Sequence, residues 1–275
     1  MADTPPFALV ALDLDGTALS ADGTVSPRLK AAIAASLERG VQVILATGRM
    51  PQSATRYWLD LKLPPGPLIA FQGAMVVWQP DGRVEAKVNL PDAGARLTVQ
   101  WALSHELLTQ VYVGSELWVS REAARVRHYI EVNHIPALVR GAPDMTDWPE
   151  PPVKVLLQDE GARLDRLRGE LEHLLRHEPV RVFKSQVDYL EVVHQAVGKS
   201  VGLAAAAKAL GVDQSRVFAV GDAENDIDML EWAGMGVAMG QAPARVKNAA
   251  NAVTDSLDND GCAKAIERWV LGDGA

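Results

Sequence analysis

The chain has 275 residues, 48% hydrophobic and 23% charged, with 27 Lys plus Arg against 35 Asp plus Glu and a formal net charge of −8. This is ordinary globular composition, long enough for one large or two medium domains, and too acidic for sequence-independent nucleic-acid binding. Cys262 is the single cysteine, so no intrachain disulfide can form and a reducing compartment is expected.

The chain opens Met-Ala-Asp-Thr-Pro-Pro, without the basic start of a secretory signal, and no apolar stretch approaches the roughly 20 residues of a membrane span. The expectation is a cytoplasmic protein with no membrane partner. Phe7 to Leu12 then reads as a strand buried on both faces. It runs into Asp13 and Asp15, which cannot stay in a buried strand unpaired, so the strand ends with carboxylates at its C-terminal tip. Two residues apart, they leave an extended chain on the same side. Ser26 and Pro27 start a helix that Gly40 ends. Val41–Ala46 is a second buried strand leading into Thr47-Gly48-Arg49 and a helix over about 51–61. Leu68–Phe71 is a third strand. Pro80-Asp81-Gly82 marks a hairpin between 74–78 and 84–88.

From about residue 90 the pattern changes to mixed α+β. Helices read over 91–106, 122–133 and 162–177. Strands read over 110–113, 117–120, 153–158 and 180–184, with a Pro- and Asp-rich loop at 142–152. The first style returns at Tyr189–Val193. A helix over 199–210, a buried strand over 216–220, a helix over 225–232 and further short elements complete the chain. The expected organisation is therefore an α/β domain of residues 1–89 and 188–275, interrupted by an α+β insert of residues 90–187.

Three strand tips are polar: Asp13 and Asp15, Thr47 and Gly48, and Gly221-Asp222-Ala-Glu-Asn225-Asp226. In a parallel sheet such tips share one edge, where ligands bind. Each tip alone has a plain alternative reading, as a turn or an acidic helix start, and Lys199 alone reads as a solvated first-turn lysine. Other motifs fail on spacing. Gly198-Lys199-Ser200 lacks the first glycine of a P-loop, and the acids at 222–228 lack the glycine a calcium loop needs. Gly234, Gly236 and Gly240 do not give the dinucleotide spacing.

Taken in order, Asp13-Leu-Asp15-Gly-Thr17, Ala46-Thr47-Gly48-Arg49, Lys199 and Gly221 to Asp226 resemble the four motifs of the haloacid-dehalogenase-like (HAD) hydrolases, and most closely the Cof-type phosphatases with a large cap insert. The resemblance implies a Rossmann-like parallel-sheet core interrupted by an α+β cap. It implies Asp13 as nucleophile, forming an aspartyl-phosphate, and Asp15 as acid and base. Thr47, Gly48, Lys199 and Asn225 would hold the phosphate, with Arg49 either at the substrate or on the surface. It further implies Mg²⁺ as cofactor, with Asp13, Asp15 (through its backbone carbonyl), Asp222 and Asp226 as candidate metal residues. Asp226 would either orient Lys199 or support the metal. The expected partner is a small phosphorylated metabolite. A phosphomutase and a non-catalytic phospho-ligand sensor are the rival readings. Two departures stand out: Gln72-Gly73 where the family has Asn-Gly, and Gln241-Ala242 where it has Asn-Ala. The insert's Trp101, Tyr112, Trp118, Tyr129 and Trp148 read as substrate contacts or, more simply, as insert core. No coiled-coil heptad speaks to oligomeric state.

Overall fold

The computed structural model describes residues 5–272, so the first four residues of the N-terminal stretch weighed above as a signal lie outside the described residues. Leu9–Leu12 forms β1, with all four side chains fully buried. Ser26 accepts from the Leu29 N–H and starts α1 (Pro27–Glu38), with Pro27 at the first helical position. β2 (Gln42–Leu45) and α2 (Pro51–Asp60) follow, then β3 (Gly66–Ala70), β4 (Met75–Gln79) and β5 (Val84–Lys87). β3 touches the exit of β2 only through a parallel bridge between Ala46 and Ile69. Its full pairing is antiparallel with β4, in a separate three-stranded sheet β3-β4-β5.

The next stretch holds α3 (Asp92–Ser104), β6 (Leu108–Val113), β7 (Glu116–Val119), α4 (Ala124–Asn133), β8 (Leu138–Val139), β9 (Lys154–Gln158), α5 (Gly161–Leu174), β10 (Val180–Gln186) and β11 (Tyr189–His194). The six strands form one sheet in the order β10-β11-β9-β6-β7-β8. Its pairs are antiparallel except β7 with β8. Alternate residues of β6 and β9 (Val111, Val113, Val155, Leu157) share a core with Leu164 and Leu171 of α5.

Here the structure corrects the sequence reading. Tyr189–Val193 was expected to rejoin the first domain, but β11 pairs with β9 and β10 of the inserted sheet. A short apolar run carries no mark of which strand it will pair with. The chain divides into one compact unit up to Ala86 and from Gly198 onward, and a second unit, Lys87–Val197.

The first unit resumes with α6 (Lys199–Leu210), which Gly211 ends in the left-handed conformation. β12 (Val217–Gly221), α7 (Ile227–Trp232), β13 (Met235–Ala238), α8 (Ala244–Ala249), β14 (Ala252–Val253) and α9 (Gly261–Ala265) follow, and α9 runs into a π-helical turn over Ile266–Leu271. The sheet order is β14-β13-β12-β1-β2, parallel throughout. β1 lies in register between β12 and β2, which aligns the three polar tips on one edge. No helix among the described residues is long and apolar enough to cross a membrane.

Candidate active site

The ladder of β1 continues to Asp13, whose N–H donates to the Val220 carbonyl at 3.1 Å. The strand then stops, because the Leu14 carbonyl accepts from the N–H groups of Thr17, Ala18 and Leu19 and closes a turn. Asp13 is buried, and its Oδ1 lies 2.5 Å from Lys199 Nζ. Lys199 is the first residue of α6 and is fully buried, unlike a solvated first-turn lysine. Its Nζ also donates to Asp226 Oδ1 at 2.5 Å. Asp228 holds the start of this helix, with its Oδ2 accepting from the Ser200 N–H and hydroxyl.

Asp226 uses both oxygens, since its Oδ2 accepts from the N–H groups of Asp222 and Ala223 at 2.9 and 3.0 Å. Asp222 Oδ1 accepts from the Thr17 hydroxyl at 3.0 Å. Gly16 makes this approach practicable: its φ is +86°, and a Cβ there would fall 2.4 Å from Asp222 Oδ2.

Two buried acids, Asp13 and Asp226, thus share one ammonium, with the half-buried Asp222 beside them. Burial, and then Asp226, push Asp13 well above the usual carboxylate range despite Lys199. Burial and Asp226 also push Asp222 up to about 6. Lys199 moves the other way: burial opposes its charge, but Asp13 and Asp226 outweigh burial and hold the proton more firmly than usual. The excess of negative charge suits a cation. Asp13, Asp222 and Asp226 each offer a carboxylate oxygen, and these atoms lie within 4.8 Å of one another. Oxygen donors of this kind fit a hard divalent ion. With both Asp226 oxygens already hydrogen-bonded, Asp13 and Asp222 are the freer donors.

The Asp15 carboxylate is outside this cluster. The turn at Leu14 ends the extended alternation, and Asp13 and Asp15 answer to different cations. Arg49 grips Asp15 in a two-point fork, Nε to Oδ2 at 2.8 Å and Nη2 to Oδ1 at 2.6 Å. The Arg49 side chain is only 11% exposed while that of Asp15 is 55% exposed, so Arg49 is not a surface arginine. Its Nη1 also reaches the hydroxyls of Ser53 and Tyr57. Thr47 is buried, its N–H donating to Ile69 and its Oγ1 accepting from the Arg49 N–H. Gly48 lies beneath the Gln72 side chain, and Asn225 Nδ2 donates to Gln72 Oε1 at 2.9 Å.

The structure adds residues to which the sequence assigned no role. Thr17 stood in the first motif, and a hydroxyl beside an acidic tip is a signal for the bond to Asp222. Gln241 Nε2 donates to the Gly16 carbonyl at 2.6 Å while its Oε1 accepts from the Leu257 N–H. Both glutamine departures therefore brace loops that carry site residues. In the second unit, all five aromatic residues named above are buried and have polar partners. The indole N–H groups of Trp101, Trp118 and Trp148 donate to Glu170, Glu116 and Asp92, and Tyr112 donates to Tyr129.

The description of haloacid dehalogenase-like hydrolases matches residues 10–266. The Bacillus subtilis (strain 168) protein YxeH is 31% identical over 271 residues, which cover 96% of this chain and 99% of that protein. A second protein of that strain, named 5-amino-6-(5-phospho-D-ribitylamino)uracil phosphatase YcsE, is 30% identical with 96% of each chain covered. Among solved structures, a haloacid dehalogenase-like hydrolase from Bacteroides thetaiotaomicron superposes with a TM-score of 0.85 at 29% identity, covering 95% of this chain and 99% of that one. With a parallel sheet that gathers aspartates, a buried lysine and a threonine on one edge, and a match spanning nearly its whole length, this chain belongs to the haloacid dehalogenase-like hydrolases.

Proposed function

We propose that this protein is a Mg²⁺-dependent phosphatase of small phosphorylated metabolites, working through an aspartyl-phosphate on Asp13. The observation that carries the reading is the buried Lys199 at 2.5 Å from both Asp13 and Asp226, beside a third acid. A phosphate dianion against Asp13 meets repulsion of roughly 4 kcal/mol per unit pair at 4 Å and an effective dielectric of 20. Lys199 offsets part of it. Asp13, Asp222 and the backbone carbonyl of Asp15 would hold Mg²⁺, which would supply charge compensation for the phosphoryl group.

In the first step an oxygen of Asp13 attacks phosphorus, the bond from phosphorus to the leaving oxygen breaks, and Asp15 gives that oxygen its proton. In the second step a water oxygen attacks the same phosphorus. Asp15 takes a proton from that water, and the bond between phosphorus and Asp13 breaks to return the carboxylate and release inorganic phosphate. Thr47, Gly48, Lys199 and Asn225 hold the phosphoryl oxygens, and Asp226 positions Lys199. Arg49 keeps Asp15 at the site, and taking up a proton requires Asp15 to give up one bond of the fork.

A relative named for a phosphorylated ribitylaminouracil supports a small phosphorylated metabolite as the substrate class. The test is a panel of phosphorylated metabolites and an aryl phosphate, assayed with wild type and Asp13→Asn side by side. Mg²⁺-dependent release of phosphate that EDTA stops and Asp13→Asn lacks supports the mechanism. A rate unchanged by EDTA, or an active Asp13→Asn, refutes it.

A further inference from the structure

After β3 the chain makes a turn at Phe71-Gln72-Gly73 that is left-handed at every residue, with φ of +50°, +59° and +91°. Two consecutive non-glycine residues in that region store backbone strain, and asparagine tolerates the region better than glutamine. The turn is nevertheless firmly tied down. The Phe71 N–H donates to the Arg49 carbonyl and the Gln72 N–H to the Thr47 carbonyl, each at 3.0 Å. A Cβ at Gly73 would fall 1.9 Å from the Gly198 carbonyl, so the turn backs directly onto the start of the Lys199 helix. The Gln72 side chain is buried and crosses Gly48, where a Cβ would lie 2.3 Å from Gln72 Nε2. Its Oε1 accepts from Asn225 Nδ2 at 2.9 Å. One strained turn therefore touches three of the four motif segments.

We propose that Gln72 is a positioning residue, whose amide fixes the orientation of Asn225 and roofs Gly48 so that both present their donors to a phosphoryl group. This rests on the phosphatase reading. An asparagine amide carries two rotatable bonds and two interchangeable ends. A single acceptor placed at Nδ2 selects one orientation before the substrate arrives, so the substrate need not order it. The strain at Gln72 has its explanation in reach. An asparagine side chain is one methylene shorter, and its oxygen would stop beyond hydrogen-bond distance of Asn225.

The test is a double-mutant cycle on Mg²⁺-dependent hydrolysis of p-nitrophenyl phosphate. Gln72→Ala and Asn225→Ala are each expected to lower kcat/KM about tenfold, mostly through KM, with the double variant losing no more than the larger single loss. Gln72→Asn, which suits the left-handed turn and keeps the fold, is expected to behave like Gln72→Ala. Losses that multiply in the double variant, or wild-type kinetics in both Gln72 variants, overturn the proposal. A second readout needs no turnover. The side-chain amide resonance of Asn225, identified by its loss in Asn225→Ala, is expected to shift in Gln72→Asn, and an unmoved resonance overturns the proposal. A wild type that hydrolyses neither the aryl phosphate nor any phosphorylated metabolite of the panel refutes the phosphatase reading instead, and the resonance still decides the role of Gln72.

Discussion

Lys199 Nζ lies 2.5 Å from Asp13 Oδ1, with the ammonium fully buried and Asp13 nearly so. An ion pair in this position is hard to replace from one side only. Lys199→Met leaves Asp13 and Asp226 buried without their cation, which should cost about 3–5 kcal/mol of stability. Adding Asp226→Asn should restore part of that loss in urea denaturation. Turnover should stay at least ~100-fold down in both variants, because the phosphoryl charge has lost its ammonium. An unchanged urea midpoint in Lys199→Met would show that the pair is not the support described.

Crowding of the acids predicts a pH dependence of stability. Asp222 is pushed up to about 6 and Asp13 well above its ordinary value, so the metal-free fold binds protons more tightly than the unfolded chain does. The stabilisation from Asp222 is complete below about pH 4 and is lost as pH rises through about 6, a contribution of about 1–3 kcal/mol. In EDTA, the melting temperature is expected to fall from pH 5 to pH 7.5, and Asp222→Asn should flatten that fall. Mg²⁺ should raise the melting temperature most at the higher pH, where the carboxylates are free of protons. A wild type whose EDTA melting curve matches that of Asp222→Asn at every pH would contradict this account.

The fork between Arg49 and Asp15 makes a contrasting prediction. Asp15 is 55% exposed in its side chain, so the pair contributes only about 0–1 kcal/mol to stability. Arg49→Lys keeps the charge but cannot form the fork. Its melting temperature should stay within a few degrees of wild type while kcat falls about tenfold. Asp15→Asn should lose roughly 10²–10⁴-fold in kcat, the range for a positioned acid or base. Steady-state kinetics beside thermal melts separate the two effects. A large loss of stability with normal kcat in Arg49→Lys would reverse the assignment.

Gly16→Ala should act on the metal rather than on the fold alone. The added methyl meets Asp222 Oδ2 at 2.4 Å and sits at a φ of +86°. About 1–2 kcal/mol of stability should go to backbone strain. Displacing Asp222 should also raise the Mg²⁺ concentration needed for half-maximal activity by tenfold or so. Activity titrated against Mg²⁺ reads this directly, and an unchanged half-maximum means that Asp222 has not moved or does not bind the ion.

A fifth prediction concerns the second unit. Lys154 and Glu191 form a buried pair at 3.0 Å, with side chains 2% and 4% exposed. Removing only one charge, as in Lys154→Met, should cost about 3–5 kcal/mol. Lys154→Met with Glu191→Leu should recover most of it. Chemical denaturation of the three proteins tests this, and equal losses in the single and double variants would rule it out.

The acidic strand tips were legible because burial and charge conflict in a way that one sequence displays. Six apolar residues running into Asp13 force a strand end, and in a parallel sheet β1, β2 and β12 must then end on one edge. Ser26 before Pro27 and Gly40 after Arg39 marked the two ends of a helix by backbone chemistry alone, and α1 lies between them. The role of Gln72 was not legible. Its contact with Asn225 joins residues far apart in the chain, and its left-handed backbone leaves no mark in the identity of a glutamine. Nor did Tyr189–Val193 announce its partners, since an apolar strand fits any sheet that will cover it.

The sequence by itself determined most of the secondary structure, the interruption of an α/β unit by an α+β insert, and the set of acids, lysine and hydroxyl gathered at the strand tips. These follow from local covalent preference and from the cost of burying charge, both properties of short stretches. Only the tertiary structure decided how the charges divide. It gave Asp13 to Lys199, Asp15 to Arg49 and Asp226 to both Lys199 and the backbone. Such pairings depend on distances of a few ångströms between residues remote in sequence, and Coulomb energy in a buried site changes steeply over that range.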